Sequence, residues 1–215
     1  MALHLGYNVF LANAYRHGDL GGVYPVARGA APVITLIATG AFLDGPLDPF
    51  AAAGVLVVGA GIVTLAFENG MRALIARPHG VALALTTSLF IAGYSVVDGV
   101  GARLAGSAHS YVIWLFVLDG LPLIAYAFAT RGSALKRMFL DNWAAGLVGG
   151  ALSLAAYWIV IWAMTRAPIA LVAALRETSV VFAVAIGIVF LGERITRNRI
   201  VAIAVVMIGL VMLRL

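Results

Sequence analysis

No cysteine occurs among the 215 residues, and lysine occurs once, as Lys136. The missing thiols exclude a disulfide framework, a thiolate metal site and a cysteine nucleophile. Charge is scarce too: 11% of the residues are charged and 63% hydrophobic, with a mean hydropathy of +1.06. A soluble globular domain carries about 25% charged and 45–50% apolar residues, so this chain lacks the polar surface to face water. It also lacks the charge for a disordered tail or a nucleic-acid surface, and no nucleic-acid partner is expected. The partner that fits is the lipid bilayer.

Enzyme signatures are missing as well. There is no HExxH, no GxSxG and no Walker glycine-rich loop, and His4, His17, His79 and His109 lie near segment ends without paired metal spacing. The expectation is no enzyme, no cofactor and no metal. No basic n-region precedes the first apolar stretch, which opens Met1-Ala-Leu-His4, so no cleaved signal peptide is expected either.

What is present is apolar length. A membrane-spanning helix needs about 20 mostly apolar residues, and eight segments qualify or nearly do. They run from Ala2 to Tyr15, Gly21 to Leu43, Phe50 to Phe67, Gly80 to Val97, Ser110 to Thr130, Trp143 to Met164, Ile169 to Leu191 and Arg199 to Leu213. Turn-forming or charged runs separate them, such as Asp44-Gly-Pro-Leu-Asp-Pro49 and Arg77-Pro-His-Gly80. Lipid-spanning strands would need period-two alternation, which these continuous Ala/Val/Leu/Ile runs lack.

The chain also resembles itself. A gapless shift of 148 residues lays Gly21–Pro32 on Ile169–Val180 and puts Arg28 on Arg176. Further along, Leu43 meets Leu191, Val57 and Val58 meet Val205 and Val206, Gly61 meets Gly209, and Val63 meets Val211. Most of these matches are cheap in so biased a composition. Two intramembrane arginines in one register are not. The shift carries the second segment onto the seventh, an odd number of helices, so paired helices cross the membrane in opposite directions, as in the inverted repeats of secondary transporters. The fourth and fifth segments have no partner. A first unit equivalent to one starting at Gly80 would start near position −68, so roughly 70 residues, or about two helices, are expected to be missing from the front.

The expected architecture is an all-α polytopic membrane protein of about eight transmembrane helices in inverted five-helix repeats, the first truncated at its N-terminus. Residues 1–67 form the last three helices of the first repeat, 68–79 the inter-repeat loop and 80–215 the complete second repeat. The net charge of +5 is read along this topology. Arg16, Arg72, Arg77, Arg131, Lys136, Arg137, Arg194, Arg197 and Arg199 follow odd-numbered segments, whereas Arg103, Arg166 and Arg214 lie on the other side. The positive-inside rule puts the larger set in the cytoplasm and the C-terminus outside. Thirteen of the 14 cations are arginine and Ala, Gly and Val abound, a composition that fits a GC-rich bacterial genome and a bacterial inner membrane.

Arg176-Glu-Thr-Ser-Val-Val-Phe-Ala-Val-Ala-Ile-Gly-Ile-Val-Phe-Leu-Gly-Glu-Arg194, followed by a glycine-containing last helix, resembles the drug/metabolite transporter superfamily, in particular its ten-helix carriers built from two EamA-type repeats. Ala14-Tyr-Arg-His-Gly-Asp-Leu20 and Tyr24-Pro-Val-Ala-Arg-Gly-Ala-Ala-Pro32 form the first-half counterpart, so the resemblance covers essentially the whole chain. Two departures stand out: eight helices rather than ten, and Asp44-Gly after Leu43 where the second half has Gly-Glu. The resemblance implies both termini in the cytoplasm, against the charge count, and both orientations stay open. It implies a secondary carrier exporting a small organic metabolite by alternating access, driven by a proton or exchange gradient. The alternative is a truncated or partner-dependent membrane protein without transport activity of its own, and a homo-oligomer stays open.

The candidate site residues are polar groups at membrane depth. Arg28, seven residues into its segment, lies roughly 10 Å deep, and Arg176 lies at the matching depth. A mid-membrane arginine on a lipid face costs at least ~2.5–3.5 kcal/mol. Two readings follow: guanidiniums lining a substrate path and forking onto a carboxylate or phosphate, or side chains that snorkel to the headgroups. Tyr24, Arg28, Pro32, Thr35 and Thr39 share one helical face, as a cavity wall or as interhelix hydrogen bonding. Glu177 is a proton-coupling candidate or a fixed partner to an arginine; it neighbours Arg176, but 100° around the axis the two point to different surroundings. Asp119 is the second proton-coupling candidate, being the deepest charge. Tyr94 and Asp98 look like the corresponding stretch in the family, although an aspartate near a helix end can simply be solvated. Trp158, with Tyr157, Trp162, Tyr111 and Trp114, walls a cavity or belts the interface, the belt being favoured for Tyr111 and Trp162. Gly146 and Gly150 form a GxxxG expected to permit close helix packing. Substrate contact is assigned to Tyr24, Arg28, Tyr94, Asp98, Trp158, Arg176 and Glu177.

Overall fold

The computed structural model describes residues 1–17, 20–43, 47–67, 76, 78–192 and 194–213. Asp44-Gly45, Arg72, Arg77, most of the expected inter-repeat loop, Glu193 and Arg214 lie outside the described residues. The described chain is helical, in the order α1 (Ala2–His17), α2 (Leu20–Phe42), α3 (Pro49–Leu65), α4 (Pro78–Leu104), α5 (Ala108–Arg131), α6 (Ser133–Met164), α7 (Ile169–Arg176), α8 (Ser179–Leu191) and α9 (Arg197–Met212). Five stretches are long and apolar enough to cross a membrane: Gly22–Phe42, Pro78–Leu104, Ala108–Ala129, Leu140–Met164 and Ile169–Phe190, the last formed by α7 and α8 together. The helices α1, α3 and α9 are shorter, at 16 or 17 residues.

Local chemistry sets the ends. The Asp48 carboxylate accepts from the amides of Phe50 and Ala51 at the start of α3, where Pro49 needs no donor partner. The Ser107 and Thr196 hydroxyls cap α5 and α9 by accepting from the amides of Ser110 and Arg199. At the end of α8, Gly192 turns the chain with φ 67°, a conformation that favours glycine.

Three boundaries differ from the sequence reading. The helix α4 runs on past Val97 to Leu104, because Gly99-Val-Gly-Ala102 dilutes the apolar run without breaking the helix. A kink at Asn142, φ −126° and ψ 16°, divides α6 one residue before the expected start at Trp143. The seventh segment breaks at Glu177-Thr178 into α7 and α8.

The chain divides into two compact units. In the larger, residues 2–97 and 167–215, Val58, Ile62 and Leu65 of α3 pack with Val180 of α8 and with Ala202 and Val206 of α9. The α3–α9 contact is reciprocal. A Cβ on Gly61 would lie 2.9 Å from the Val206 amide nitrogen, and one on Gly209 would lie 2.7 Å from that of Val58. Gly61 and Val58 are the residues that the 148-residue shift carries onto Gly209 and Val206, so the contact is self-complementary under that shift. Gly29 of α2 and Gly59 of α3 meet as closely, each hypothetical Cβ falling within 2.7 Å of the other's carbonyl oxygen.

The smaller unit holds Asp98–Arg166 together with Met1, with α5 and α6 packed on each other. The Arg103 Nε donates to the Met164 carbonyl at 2.9 Å, satisfying an acceptor at the end of α6. Trp162 is exposed and lies under the Arg166 guanidinium at 4.5 Å, in keeping with an interfacial belt. Gly146 and Gly150 do not do what was expected of them. Among the described residues nothing lies within 4 Å of a Cβ at either position. A GxxxG permits close approach, but no described helix is there to approach.

Candidate functional site

The break between α7 and α8 positions the site. Glu177 is the ninth of the 22 residues in the span Ile169–Phe190, about 12 Å in at 1.5 Å per residue. Around it the backbone tightens: the amides of Glu177, Thr178, Val180 and Val181 donate to the carbonyls three residues earlier, of Ala174, Leu175, Glu177 and Thr178. Such 3₁₀ turns inside a span mark the discontinuous helices that carry transporter binding sites. The sequence signal is the polar run Arg176-Glu-Thr-Ser179 in the middle of an apolar segment.

Glu177 is fully buried, 0% exposed, and its carboxylate is shared by two guanidiniums. The Arg28 Nε lies 2.9 Å from Oε2, and the Arg176 Nε lies 3.4 Å from Oε1. The 2.9 Å contact is an ion pair rather than a directed hydrogen bond, since the Arg28 Nε–H is not aimed at Oε2. The Arg28 Nη2 also donates to the Ser179 hydroxyl at 3.4 Å. The separation of Arg176 and Glu177 expected from regular helical geometry therefore does not hold. Unwinding at Glu177 removes the 100° step and lets the neighbours touch.

Both arginines are largely buried, with side chains 15% and 13% exposed, so neither snorkels to a headgroup. Each rests on an aromatic face: Arg28 lies 5.7 Å from the Tyr24 ring centre and Arg176 lies 5.6 Å from that of Tyr94. Tyr94 is in turn met by the His4 ring at 4.6 Å and by the edge of Tyr7 at 5.8 Å. One cluster thus gathers five expected residues, Tyr24, Arg28, Tyr94, Arg176 and Glu177, and adds Tyr7, His4 and Ser179.

The lower part of the expected α2 stripe does not line the site. Thr35 and Thr39 are 1% and 3% exposed and donate to the carbonyls of Ala31 and Thr35 in their own helix.

In the smaller unit Asp98 is buried, 3% exposed, not solvated at a helix end. The Tyr111 hydroxyl donates to Oδ1 at 3.0 Å and the Tyr157 hydroxyl donates to Oδ2 at 2.5 Å. Tyr111, expected in an interfacial belt, is half-buried and serves as a hydrogen-bond partner of Asp98. Its ring packs over Gly101, where a Cβ would come within 2.6 Å of it. The Trp158 Nε1 lies 2.7 Å from the His109 Nδ1, and an Asp119 oxygen lies 3.4 Å from the Met1 amino nitrogen.

Residues 78–215 match the EamA-like transporter family. The chain belongs to this family. A crystal structure superposes on it with a TM-score of 0.75 at 21% identity, over 98% of this chain and 74% of the other; identity that low speaks for the fold alone. No curated protein matches the chain. EamA membership makes it a membrane protein of transporter type, and the matched region holds Tyr94, Asp98, Asp119, Trp158, Arg176 and Glu177. Arg28 and Tyr24 precede it, and Arg28 is tied to it by the ion pair with Glu177.

Sequence reading missed His4 and Tyr7 because α1 looked like a short segment and His4 like an end residue. The Tyr111 and Tyr157 contacts to Asp98 were missed because the partners lie 13 and 59 residues away, beyond any local periodicity.

Proposed function

We propose that the protein is a secondary carrier that moves a small organic metabolite across a bacterial inner membrane, exporting it by alternating access between two inverted repeats and drawing on a proton or exchange gradient. The observation that carries this reading is the fully buried Glu177, at the break of a span, held between two arginines from equivalent positions of the two repeats. Charge at membrane depth is costly and belongs where it serves a path or a partner. Three charges converging from α2 and from the α7–α8 break form a contact that can be made and unmade as the repeats move against each other.

In this reading Arg28 and Arg176 bind an anionic group and Glu177 carries the proton-sensitive charge, with Asp119 as the second carboxylate for that role. Tyr24 and Tyr94 hold the guanidiniums in place. The nine cations after odd-numbered segments set the cytoplasmic side.

The test is uptake from a pool of isotope-labelled small metabolites into proteoliposomes, read by mass spectrometry. Wild-type protein is expected to accumulate at least one compound, and Arg176→Gln and Glu177→Gln to accumulate none while still eluting as folded, helical protein. A wild type that moves nothing would overturn the carrier reading, and variants as active as wild type would overturn the site.

A further inference from the structure

The end of α6 carries a cation that the fold does not use. The helix stops at Met164, and the carbonyls at a helix end attract positive charge. That place is taken by Arg103 from the end of α4, whose Nε donates to the Met164 carbonyl at 2.9 Å. Two residues further on, the exposed Arg166 lays its guanidinium over the Trp162 ring at 4.5 Å, and among the described residues it has no hydrogen-bonding or acidic partner. The sequence offers it little choice. No aspartate or glutamate occurs in residues 99–118 or 142–176, and Asp98 is buried and accepts from two tyrosine hydroxyls. Orientation gives no reason for these arginines either, since they lie on the side of the chain with few cations. Apolar surface runs on from the guanidinium. Trp162, Ile159, Ala155 and Leu152 are spaced by three and four residues, which puts them on one face of α6, and all four are exposed. Leu104, beside Arg103, is exposed as well.

We propose that this end of α6 binds the headgroup of an anionic phospholipid. The phosphodiester takes the fork of Arg166, which offers two parallel donors to two phosphate oxygens, and the Trp162 ring holds that fork flat at the depth where tryptophan meets headgroups. Arg103 adds a second positive charge at the same helix end. One acyl chain lies along Ile159 and Leu152. A free phosphate ion would use the arginines and leave this track bare, whereas a phospholipid covers both. A zwitterionic lipid brings its own cation into an acid-free region, where the arginines repel it, so the site selects a headgroup with net negative charge. The inference needs the bilayer only and stands apart from the carrier reading.

The test reads lipid beside the site. The chain has no cysteine, so Ile159→Cys, at an exposed position, carries a single fluorophore there. Labelled full-length protein is reconstituted into phosphatidylcholine vesicles in which brominated chains, at equal mole fraction, are borne either by phosphatidylglycerol or by phosphatidylcholine, and quenching is compared. Phosphatidylglycerol is expected to quench at least threefold more strongly than phosphatidylcholine. In Arg166→Gln this ratio is expected to fall to about one, and in Arg166→Lys, which keeps the charge and loses the planar fork, to fall by at least half. The lysine variant carries the test if the glutamine variant does not fold. Arg197→Gln makes the same change of charge at an exposed position of the larger unit, and the ratio is expected to stay as it was. A ratio near one in the labelled parent, or a ratio that neither Arg166 variant changes, would overturn the proposal. So would an equal loss in Arg197→Gln, which would make the preference a matter of net charge. Inorganic phosphate that abolishes the preference when added in excess would also overturn it, by making the arginines a plain anion site.

Discussion

Replacing Gly209 with alanine puts a Cβ 2.7 Å from the Val58 amide nitrogen and 2.7 Å from Val58 Cγ2, with the Gly54 carbonyl oxygen at 3.0 Å. Two of these three atoms are backbone and cannot rotate away. To restore an ordinary contact of 3.4 Å from 2.7 Å, α9 must withdraw from α3 by about 0.7 Å, and overpacking of this kind costs about 1–3 kcal/mol. Alanine also gains roughly 0.5–1 kcal/mol over glycine in a helix interior, which blurs the reading of one variant alone. Gly146→Ala provides the correction, because it carries the same propensity gain and nothing lies within 4 Å of its Cβ. The difference between the two variants isolates the clash. For a chain of this size, where 1 kcal/mol moves the midpoint by ~2–4 °C, that difference is about 2–12 °C in a thermal melt in detergent. Gly61→Ala, the repeat equivalent, meets the Val206 amide nitrogen at 2.9 Å and is expected to lose stability in the same direction. A Gly209→Ala protein as stable as Gly146→Ala, or a Gly61→Ala protein that gains stability, would refute the reciprocal packing.

Other expectations concern the polar contacts. Tyr111→Phe and Tyr157→Phe each remove a donor to the buried Asp98 carboxylate and are expected to cost about 1–3 kcal/mol in the same melt. In an Asp98→Val background both tyrosine changes should cost less, and equal costs in the two backgrounds would show that the hydrogen bonds contribute nothing. Thr39→Val removes a hydroxyl that bonds only within its own helix among the described residues, so transport is expected to stay within twofold of wild type, whereas a site residue at Thr39 would lose far more. Arg28→Gln leaves Glu177 buried with half its counter-charge and is expected to destabilise by about 3–5 kcal/mol, partly restored by Glu177→Gln in the same chain; a double variant no more stable than Arg28→Gln would deny the ion pair.

Much of the fold could be read directly because membrane spans need long apolar runs, and each of the eight runs appears as helix. The arginine match at 148 residues was likewise legible, since charge stands out against an apolar background. What those arginines do was not. Regular helical periodicity separates Arg176 from Glu177 by 100°, and only a local break brings both oxygens of Glu177 onto arginines from two different helices. Asp98 was misplaced for a related reason. Glycines after it mimic a helix end in composition, while the tyrosines that donate to it come from α5 and α6. Glycine spacing showed which residues permit a close approach, but a GxxxG says nothing of whether a neighbour exists. The pair with less motif character, Gly61 and Gly209, makes the contact, and Gly146 with Gly150 does not.

The central claim is that Arg28, Glu177 and Arg176 form the site through which this EamA-family protein handles its cargo. Flux of an accumulated compound in proteoliposomes, compared among the wild type, Glu177→Gln and Arg176→Gln at matched protein incorporation, tests it most directly. The account predicts transport by the wild type and a loss of at least a hundredfold in both variants, with folded protein in every case. Undiminished flux in both variants would contradict it.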